Sequence, residues 1–113
     1  MAAGAVALPA VSRIASAQAY PTRYVRLIVP FPPGGATDPI ARVLANRLSE
    51  VWGQQVVIEN KGGAGGNLGA QAAVQSASDG YTIFISAAFL AINPYLYRSL
   101  GYDPISDLSP ITP

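Results

Sequence analysis

Residues 24–41 read YVRLIVPFPPGGATDPIA, and they give the clearest indication of the fold class. Residues 24–30 are β-branched and apolar, which predicts a buried strand. Residues 30–37 hold prolines and glycines that cannot continue a regular element, so they predict a loop. Asp38 and Pro39 then predict a helix start, with Asp38 as the N-cap and Pro39 as the first helical residue. The stretch is therefore a strand, a loop and a helix in succession.

The first helix is predicted to pack one apolar face against the sheet and to end at Gly53. The residues expected on that face are Ile40, Val43, Leu44, Leu48 and Val51.

The same order of elements follows twice more along the chain. Residues 55–59 and 81–86 predict two further strands, and residues 67–76 predict an alanine-rich helix between them. Asn93 before Pro94 predicts the start of a short third helix. Strands that alternate with helices over short loops indicate an α/β fold with a parallel sheet. The continuous apolar character of the strands agrees, because such strands are buried on both faces.

The composition excludes several classes of protein. Among 113 residues only 12% are charged and the net charge is +1, which argues against a nucleic-acid partner. The chain has no Cys, so disulfides and thiolate chemistry are excluded. It has no His, the commonest general base and metal ligand, which argues against most hydrolases and zinc sites. We expect no metal and no cofactor.

The N-terminus is typical of the end of an export signal. Residues 2–11 are small and apolar, and Ala17 and Ala19 fit the positions that signal peptidase reads, which predicts cleavage before Tyr20. No Lys or Arg precedes the apolar run, so residues 1–19 are expected to be a signal remnant whose start lies upstream. The alternative is an alanine-rich surface helix.

Three loops are candidates for ligand binding, because ligands of open parallel sheets sit at the carboxyl ends of the strands. In the first loop, Gly34 and Gly35 allow close approach of backbone N–H groups, and the following helix favours an anion. In the third loop, Ser86 offers a hydroxyl group, but without His it lacks the partner that would make it a nucleophile. The alternative for the first loop is a turn that only reverses the chain.

The second loop, residues 61–69, invites a nucleotide-binding interpretation that its spacing does not support. Lys61 precedes the glycines, whereas a P-loop ends in Gly-Lys followed by Ser or Thr. The glycines also miss the G-x-G-x-x-G spacing of dinucleotide-binding proteins.

Five segments together carry a resemblance to a known family. They are VRLIVPFPPGGATD (25–38), QVVIENKGGAGGNLGA (55–70), DGYTIFIS (79–86), AINPYLY (91–97) and YDPISDLSPI (102–111). Their order and spacing resemble the Bug family, the extracytoplasmic solute receptors of tripartite tricarboxylate transporters. The resemblance implies a two-lobed periplasmic binding protein of the type II, Venus-flytrap kind. Residues 20–113 would then be the front part of its first lobe.

The resemblance also implies a function without catalysis. The family binds small organic anions, often carboxylates, between the lobes and delivers them to the integral membrane subunits of the transporter. The chain is therefore expected to act in the periplasm as a carboxylate receptor. The alternative is an α/β enzyme fragment that binds a phosphorylated substrate or nucleotide on its glycine loop. The expected ligand-binding residues are Pro33, Gly34, Gly35, Ala36, Thr37, Asp38, Gly66, Asn67, Ser86, Ala87, Ala88, Phe89 and Leu90.

One loop departs from the family pattern. The family usually has polar residues in the third loop, where Ala87, Ala88 and Phe89 stand here. The departure indicates an altered or more apolar ligand.

Overall fold

A computed structural model describes residues 1–4 and 17–112. Most of the predicted export signal lies outside the described residues. Three strands, β1 (Val25–Val29), β2 (Val56–Asn60) and β3 (Thr82–Phe84), form a parallel sheet in the order β2-β1-β3. Leu27 is the Cα partner of Ile58 on one side and of Ile83 on the other. The predicted parallel α/β architecture is confirmed.

Helices follow each strand. Helix α1 (Asp38–Trp52) comes after β1, and Gly53 ends it in the left-handed conformation with φ of +63°. A short 3₁₀ turn (Ala64–Gly66) and helix α2 (Asn67–Val74) come after β2. Helix α3 (Phe89–Leu96) comes after β3. Each strand thus leads through a loop into a helix, which places three helix starts at the carboxyl edge of the sheet.

The main core lies between the sheet and α1, and the predicted face of α1 is wrong. Ala41 and Ala45 are buried against β1, and Leu48 and Trp52 pack beside them. Of the five predicted residues only Leu48 packs on this core; the others are exposed, with Val43 70% accessible. The predicted residues and the residues that pack on the sheet both follow the helical repeat. The small side chains of Ala41 and Ala45 let the helix approach the sheet closely.

Helix α2 packs against β1 and β3 at close range. A Cβ at Gly69 would lie 2.7 Å from the Pro30 Cα, so glycine is required there. Leu27 and Val29 belong to the core between the sheet and α1. Ile28 lies between them and points to the opposite face of the sheet, because successive side chains of a strand alternate. Ile28 is also fully buried, so both faces of β1 are covered. Among the described residues, no helix is long and apolar enough to cross a membrane.

Two predicted helix starts are corrected by the structure. Thr37, not Asp38, is the N-cap residue of α1, and Asp38 is the first helical residue. Asn93 and Pro94 lie inside α3, which begins at Phe89 after Ala88 as N-cap. Asn93 is the fifth residue of α3 and therefore cannot cap it; its side-chain amide donates to the Gly65 carbonyl oxygen and to Asn67 Oδ1 instead.

Candidate functional site

The candidate site lies at the carboxyl edge of the sheet, where the loops after β1 and β3 enter α1 and α3. The parallel register aligns Ile28 of β1 with Phe84 of β3, so the two loops leave neighbouring strands side by side. Each loop ends at a helix N-terminus, which carries about half a positive charge and several free N–H donors. The geometry therefore favours an anion between the two loops.

Asp38 organises the loop after β1 through both carboxylate oxygens. Its Oδ2 accepts hydrogen bonds from the Gly34 N–H at 3.1 Å and from Arg42 Nε at 2.9 Å. Its Oδ1 accepts one from Asn60 Nδ2 at 3.3 Å, and the same amide donates to the Phe31 carbonyl oxygen at 3.0 Å. Asp38 is a buried residue, and its contacts join this loop to the end of β2.

These contacts remove an electrostatic obstacle to anion binding. The hydrogen bond from Arg42, followed by those from Gly34 and Asn60, holds the pKa of the Asp38 carboxyl below its usual value. The carboxylate is thus ionised near neutral pH, with its charge compensated by the Arg42 guanidinium. An anion in the loop would meet a compensated carboxylate rather than a bare one.

The two glycines of the loop do not offer the N–H groups expected of them. The Gly34 N–H donates to Asp38, and the Gly35 N–H donates to the Pro32 carbonyl oxygen at 3.3 Å. Within the part of the chain that the structure describes, the N–H groups of Ala36 and Thr37 have no hydrogen-bond partner. Donors for a ligand in this loop are therefore on Ala36 and Thr37.

The loop after β3 presents a matching set of donors. Ser86, Ala87 and Ala88 are exposed, and Phe89 and Leu90 are half-buried. The N–H groups of residues 86–89 have no partner among the described residues, whereas the Leu90 N–H donates to the Ala87 carbonyl oxygen. Ala87 and Leu90 also line an open cavity of about 730 Å³ between α3 and residues 100–105.

Gly66 and Asn67, at the start of α2, have structural contacts. The N–H groups of Gly66, Asn67 and Leu68 bond to carbonyl oxygens of Gly63 and Ala64. The buried Asn67 Oδ1 accepts from Asn93 Nδ2 and from the Tyr102 hydroxyl, both at 2.9 Å. Sequence reasoning assigned no such role to Asn93 or Tyr102, because partners 26 and 35 residues away leave no local signal.

Phe89 contacts three segments at this edge: the loop after β1, strand β3 and the start of α2. Its ring centroid lies 5.8 Å from that of Phe31 and 6.4 Å from that of Phe84, both edge-to-face. A Cβ at Gly66 would lie 2.8 Å from the Phe89 ring, so the ring rests directly on the Gly66 backbone.

Lys61, which follows β2 and opens the glycine loop, is already paired. Its Nζ lies 2.9 Å from Glu59 Oε1, while Arg26 Nη2 lies 2.6 Å from Glu59 Oε2. The hydrogen bonds from Lys61 and then Arg26 hold the pKa of the Glu59 carboxyl below its usual value. An anion at this edge would therefore meet a Lys61 charge that Glu59 already compensates. Within residues 1–4 and 17–112, no group of acidic side chains is arranged to hold a metal.

Comparison with known protein families identifies the family of this chain. Residues 40–113 match the family model described as the tripartite tricarboxylate transporter family receptor. The chain belongs to this receptor family. It is 45% identical over 109 residues to Protein BugT of Bordetella pertussis, covering 95% of this chain and 33% of BugT. The chain thus spans about a third of the length of the curated relatives it matches.

Solved structures give the same result for the fold. The periplasmic binding protein BugD is similar with a TM-score of 0.78 and 43% identity, covering 81% of this chain and 31% of BugD. An R. palustris protein solved with adipate has a TM-score of 0.73 and 46% identity, covering 76% and 29%. MatC from Rhodopseudomonas palustris, with bound malate, has a TM-score of 0.71 and 36% identity, covering 81% and 32%. The resemblance to Bug receptors and the fold class are confirmed.

Proposed function

We propose that the full-length protein is a periplasmic solute receptor that binds a small organic anion, a carboxylate, and does not catalyse a reaction. The observation that carries this proposal is the pair of donor sets at one edge: the N–H groups of Ala36 and Thr37, and those of residues 86–89. Both sets lie at helix N-termini, where anions bind favourably. The chain that carries these donors belongs to the tripartite tricarboxylate transporter receptor family.

The electrostatics of the loop after β1 favour an anion over a cation. Asp38 and Glu59 are compensated by Arg42, Lys61 and Arg26. Free N–H groups attract an anion and offer nothing to a cation. The similar structures solved with adipate and malate support the same class of ligand.

The proposed binding surface keeps the residues expected from the sequence. Residues 33–38 and 86–90 would contact the ligand directly or through water, while Gly66 and Asn67 border it. Residues 20–113 would form part of the first lobe of a two-lobed protein, with the ligand enclosed against the second lobe. The loaded receptor would deliver its ligand to the integral membrane subunits of a tripartite tricarboxylate transporter.

Calorimetric titration of the full-length protein tests this function. Dicarboxylates such as adipate and malate should bind, while amines and neutral sugars of similar size should not. Tight binding of a neutral sugar or of a cation would refute the proposal. A second test concerns export: N-terminal sequencing of the extracytoplasmic fraction should show a mature chain that begins at Tyr20.

The alternative is an enzyme that binds a phosphate group on the glycine loop, residues 61–69. The hydrogen bonds of that loop support this alternative less well. A phosphate would need the N–H groups at the start of α2, but those of Gly66, Asn67 and Leu68 already bond within the loop. Titration with ATP should therefore give no heat of binding.

A further inference from the structure

Resting on the proposed cleavage before Tyr20, we propose that the signal is removed while the chain is still unfolded, so that the precursor crosses the membrane through a translocase that threads unfolded chains. Bacterial export signals direct precursors to two kinds of translocase, one for unfolded chains and one for folded proteins. Residues 20–23, called the N-terminal clamp below, distinguish the two routes through their contacts with the folded body.

Tyr20, the first residue after the predicted cut, is held by two segments that are distant in sequence. Its ring centroid lies 6.1 Å from that of Trp52 and 5.2 Å from that of Tyr81, both edge-to-face. Its hydroxyl donates to the Gly80 carbonyl oxygen. Trp52 ends α1 and Tyr81 directly precedes β3, so these contacts fix Tyr20 on the folded body although about half of its surface stays exposed.

The next three residues continue the N-terminal clamp without slack. Pro21 is buried, and the Thr22 N–H donates to the Tyr81 hydroxyl at 3.0 Å. Arg23 Nη2 lies 2.8 Å from Asp79 Oδ2. The Arg23 guanidinium also lies 3.9 Å from the centroid of the Tyr81 ring. The clamp therefore runs directly into β1, with no free linker between them.

The bond to be cut lies immediately before this clamp. Ala17 and Ala19 are exposed and outside any helix or strand, so the amino side of the bond is accessible. A peptidase takes an exposed segment and holds it extended, with residues on both sides of the bond. Tyr20 and Pro21 must leave the clamp to adopt that conformation. Water then adds across the Ala19–Tyr20 peptide bond, which leaves a carboxylate on Ala19 and an amino group on Tyr20.

The clamp therefore makes the rate of cleavage depend on folding. A folded precursor is cut only through the fraction of molecules in which the clamp is open, whereas an unfolded precursor presents the bond in every molecule. Two edge-to-face aromatic pairs and two hydrogen bonds hold the clamp closed, which reduces the open fraction by roughly a hundredfold. A precursor that folds before export would keep its signal.

The test uses the purified full-length precursor with its complete signal, together with purified signal peptidase. Folded precursor should be cut roughly a hundredfold more slowly than precursor diluted from denaturant immediately before the peptidase is added. Trp52→Leu weakens the clamp without changing a residue next to the bond, so it should raise the rate for folded precursor at least tenfold. Tyr95→Ser, which removes an exposed ring of α3, is the control and should leave the rate unchanged.

A milder variant keeps the test decisive if circular dichroism shows that Trp52→Leu does not fold. Tyr81→Phe keeps the ring and removes only the hydroxyl that accepts from the Thr22 N–H, so it should raise the rate for folded precursor roughly fivefold. A folded clamp variant that is cut no faster than wild type would overturn the role of the clamp.

The outcomes separate this inference from the proposed function. If mass spectrometry shows that the mature chain does not begin at Tyr20, the proposed cleavage fails and the inference fails with it. If the chain begins at Tyr20 but folded and unfolded precursors are cut at equal rates, only the order of cleavage and folding is refuted. In cells, deleting the translocase for folded proteins should leave processing unchanged, and loss of the processed protein in that strain would refute export in the unfolded state.

Discussion

The Asn93 amide nitrogen lies 2.9 Å from Asn67 Oδ1, and both residues are buried although they are 26 positions apart. The same nitrogen donates to the Gly65 carbonyl oxygen at 3.1 Å. Asn67 also accepts from the Tyr102 hydroxyl, whose pKa burial raises. This pair therefore ties α3 and the segment after it to the start of α2.

Replacing Asn93 by Ala should destabilise the protein, because its side-chain amide donates two hydrogen bonds, one to the buried Asn67 Oδ1 and one to the Gly65 carbonyl oxygen. A hydrogen bond contributes about 0.5–1.5 kcal/mol, so the loss of both should cost about 1–3 kcal/mol. Chemical denaturation of the full-length protein measures the free energy of unfolding. Asn46→Ala on the exposed side of α1 is the control and should change that free energy by less than about 0.5 kcal/mol. Equal effects of the two substitutions would contradict the prediction.

The order of strands and helices was predictable from sequence because strand and loop composition are local signals. Strand β1, predicted over residues 24–30, spans Val25–Val29. The buried face of α1 was not predictable from periodicity alone. Ile40, Val43, Leu44 and Val51 also lie one helical repeat apart, and only the contacts with the sheet favour Ala41 and Ala45.

The location of the candidate site was predictable from sequence, but the hydrogen bonds within it were not. The loops after β1 and β3 were singled out because ligands bind at strand ends. Nothing in PPGGATD shows that the Gly34 N–H donates to Asp38, or that Asn60 reaches Asp38 from β2. Such contacts depend on tertiary packing between segments 22 residues apart, so local sequence carries no trace of them.

The Asp38 contacts predict a pH-dependent effect of Asp38→Asn. The folded-state pKa of Asp38 lies below the unfolded value, which is about 3.9. The ionised carboxylate therefore stabilises the fold above the unfolded pKa, and this contribution is lost as pH falls through the folded pKa. Thermal unfolding should show Asp38→Asn clearly less stable than wild type at pH 7, with the difference vanishing in acid.

A matched control distinguishes this network from surface charge in general. Glu50→Gln breaks the exposed pair with Arg47, in which both side chains are more than half accessible. Exposed pairs contribute about 0–1 kcal/mol, so the midpoint should barely move at either pH. A difference between Asp38→Asn and wild type that is the same at pH 7 and in acid would rule out the ionised Asp38 network as its cause.

Gly66 should tolerate no side chain. Its φ is +94°, and a Cβ would lie 2.8 Å from the Phe89 ring, so Gly66→Ala adds a clash to backbone strain. Gly53→Ala shares the strain, with φ of +63°, but its Cβ meets open space. Gly53→Ala should cost about 1–2 kcal/mol. Gly66→Ala should cost measurably more in the same denaturation experiment, and equal costs would contradict close packing of Phe89 on Gly66.

Ligand binding should depend on the loop backbone more than on Lys61. A Cβ at Gly35 would lie 3.3 Å from the Pro32 carbonyl oxygen, so Gly35→Val should shift the loop and obstruct the donors of Ala36 and Thr37. Carboxylate affinity should fall more than tenfold, which corresponds to about 1.4 kcal/mol. Lys61→Ala should change it less than about threefold, because Lys61 is already paired with Glu59 and exposed pairs contribute little. A Gly35→Val variant that binds like wild type would refute the backbone mechanism.

Residues 20–113 alone should not form a stable monomer. On α1 the side chains of Ile40, Val43 and Val51 are at least 64% exposed, and on α3 Tyr95 and Leu96 are at least 70% exposed. Within the described part of the chain, β2 and β3 each pair on one side only, which leaves two open sheet edges. Exposed apolar surface and open edges promote association. Light scattering should show oligomers, and circular dichroism in denaturant should show a broad transition. A monodisperse monomer with a sharp cooperative transition would show that this sheet and its helices are stable without a covering segment.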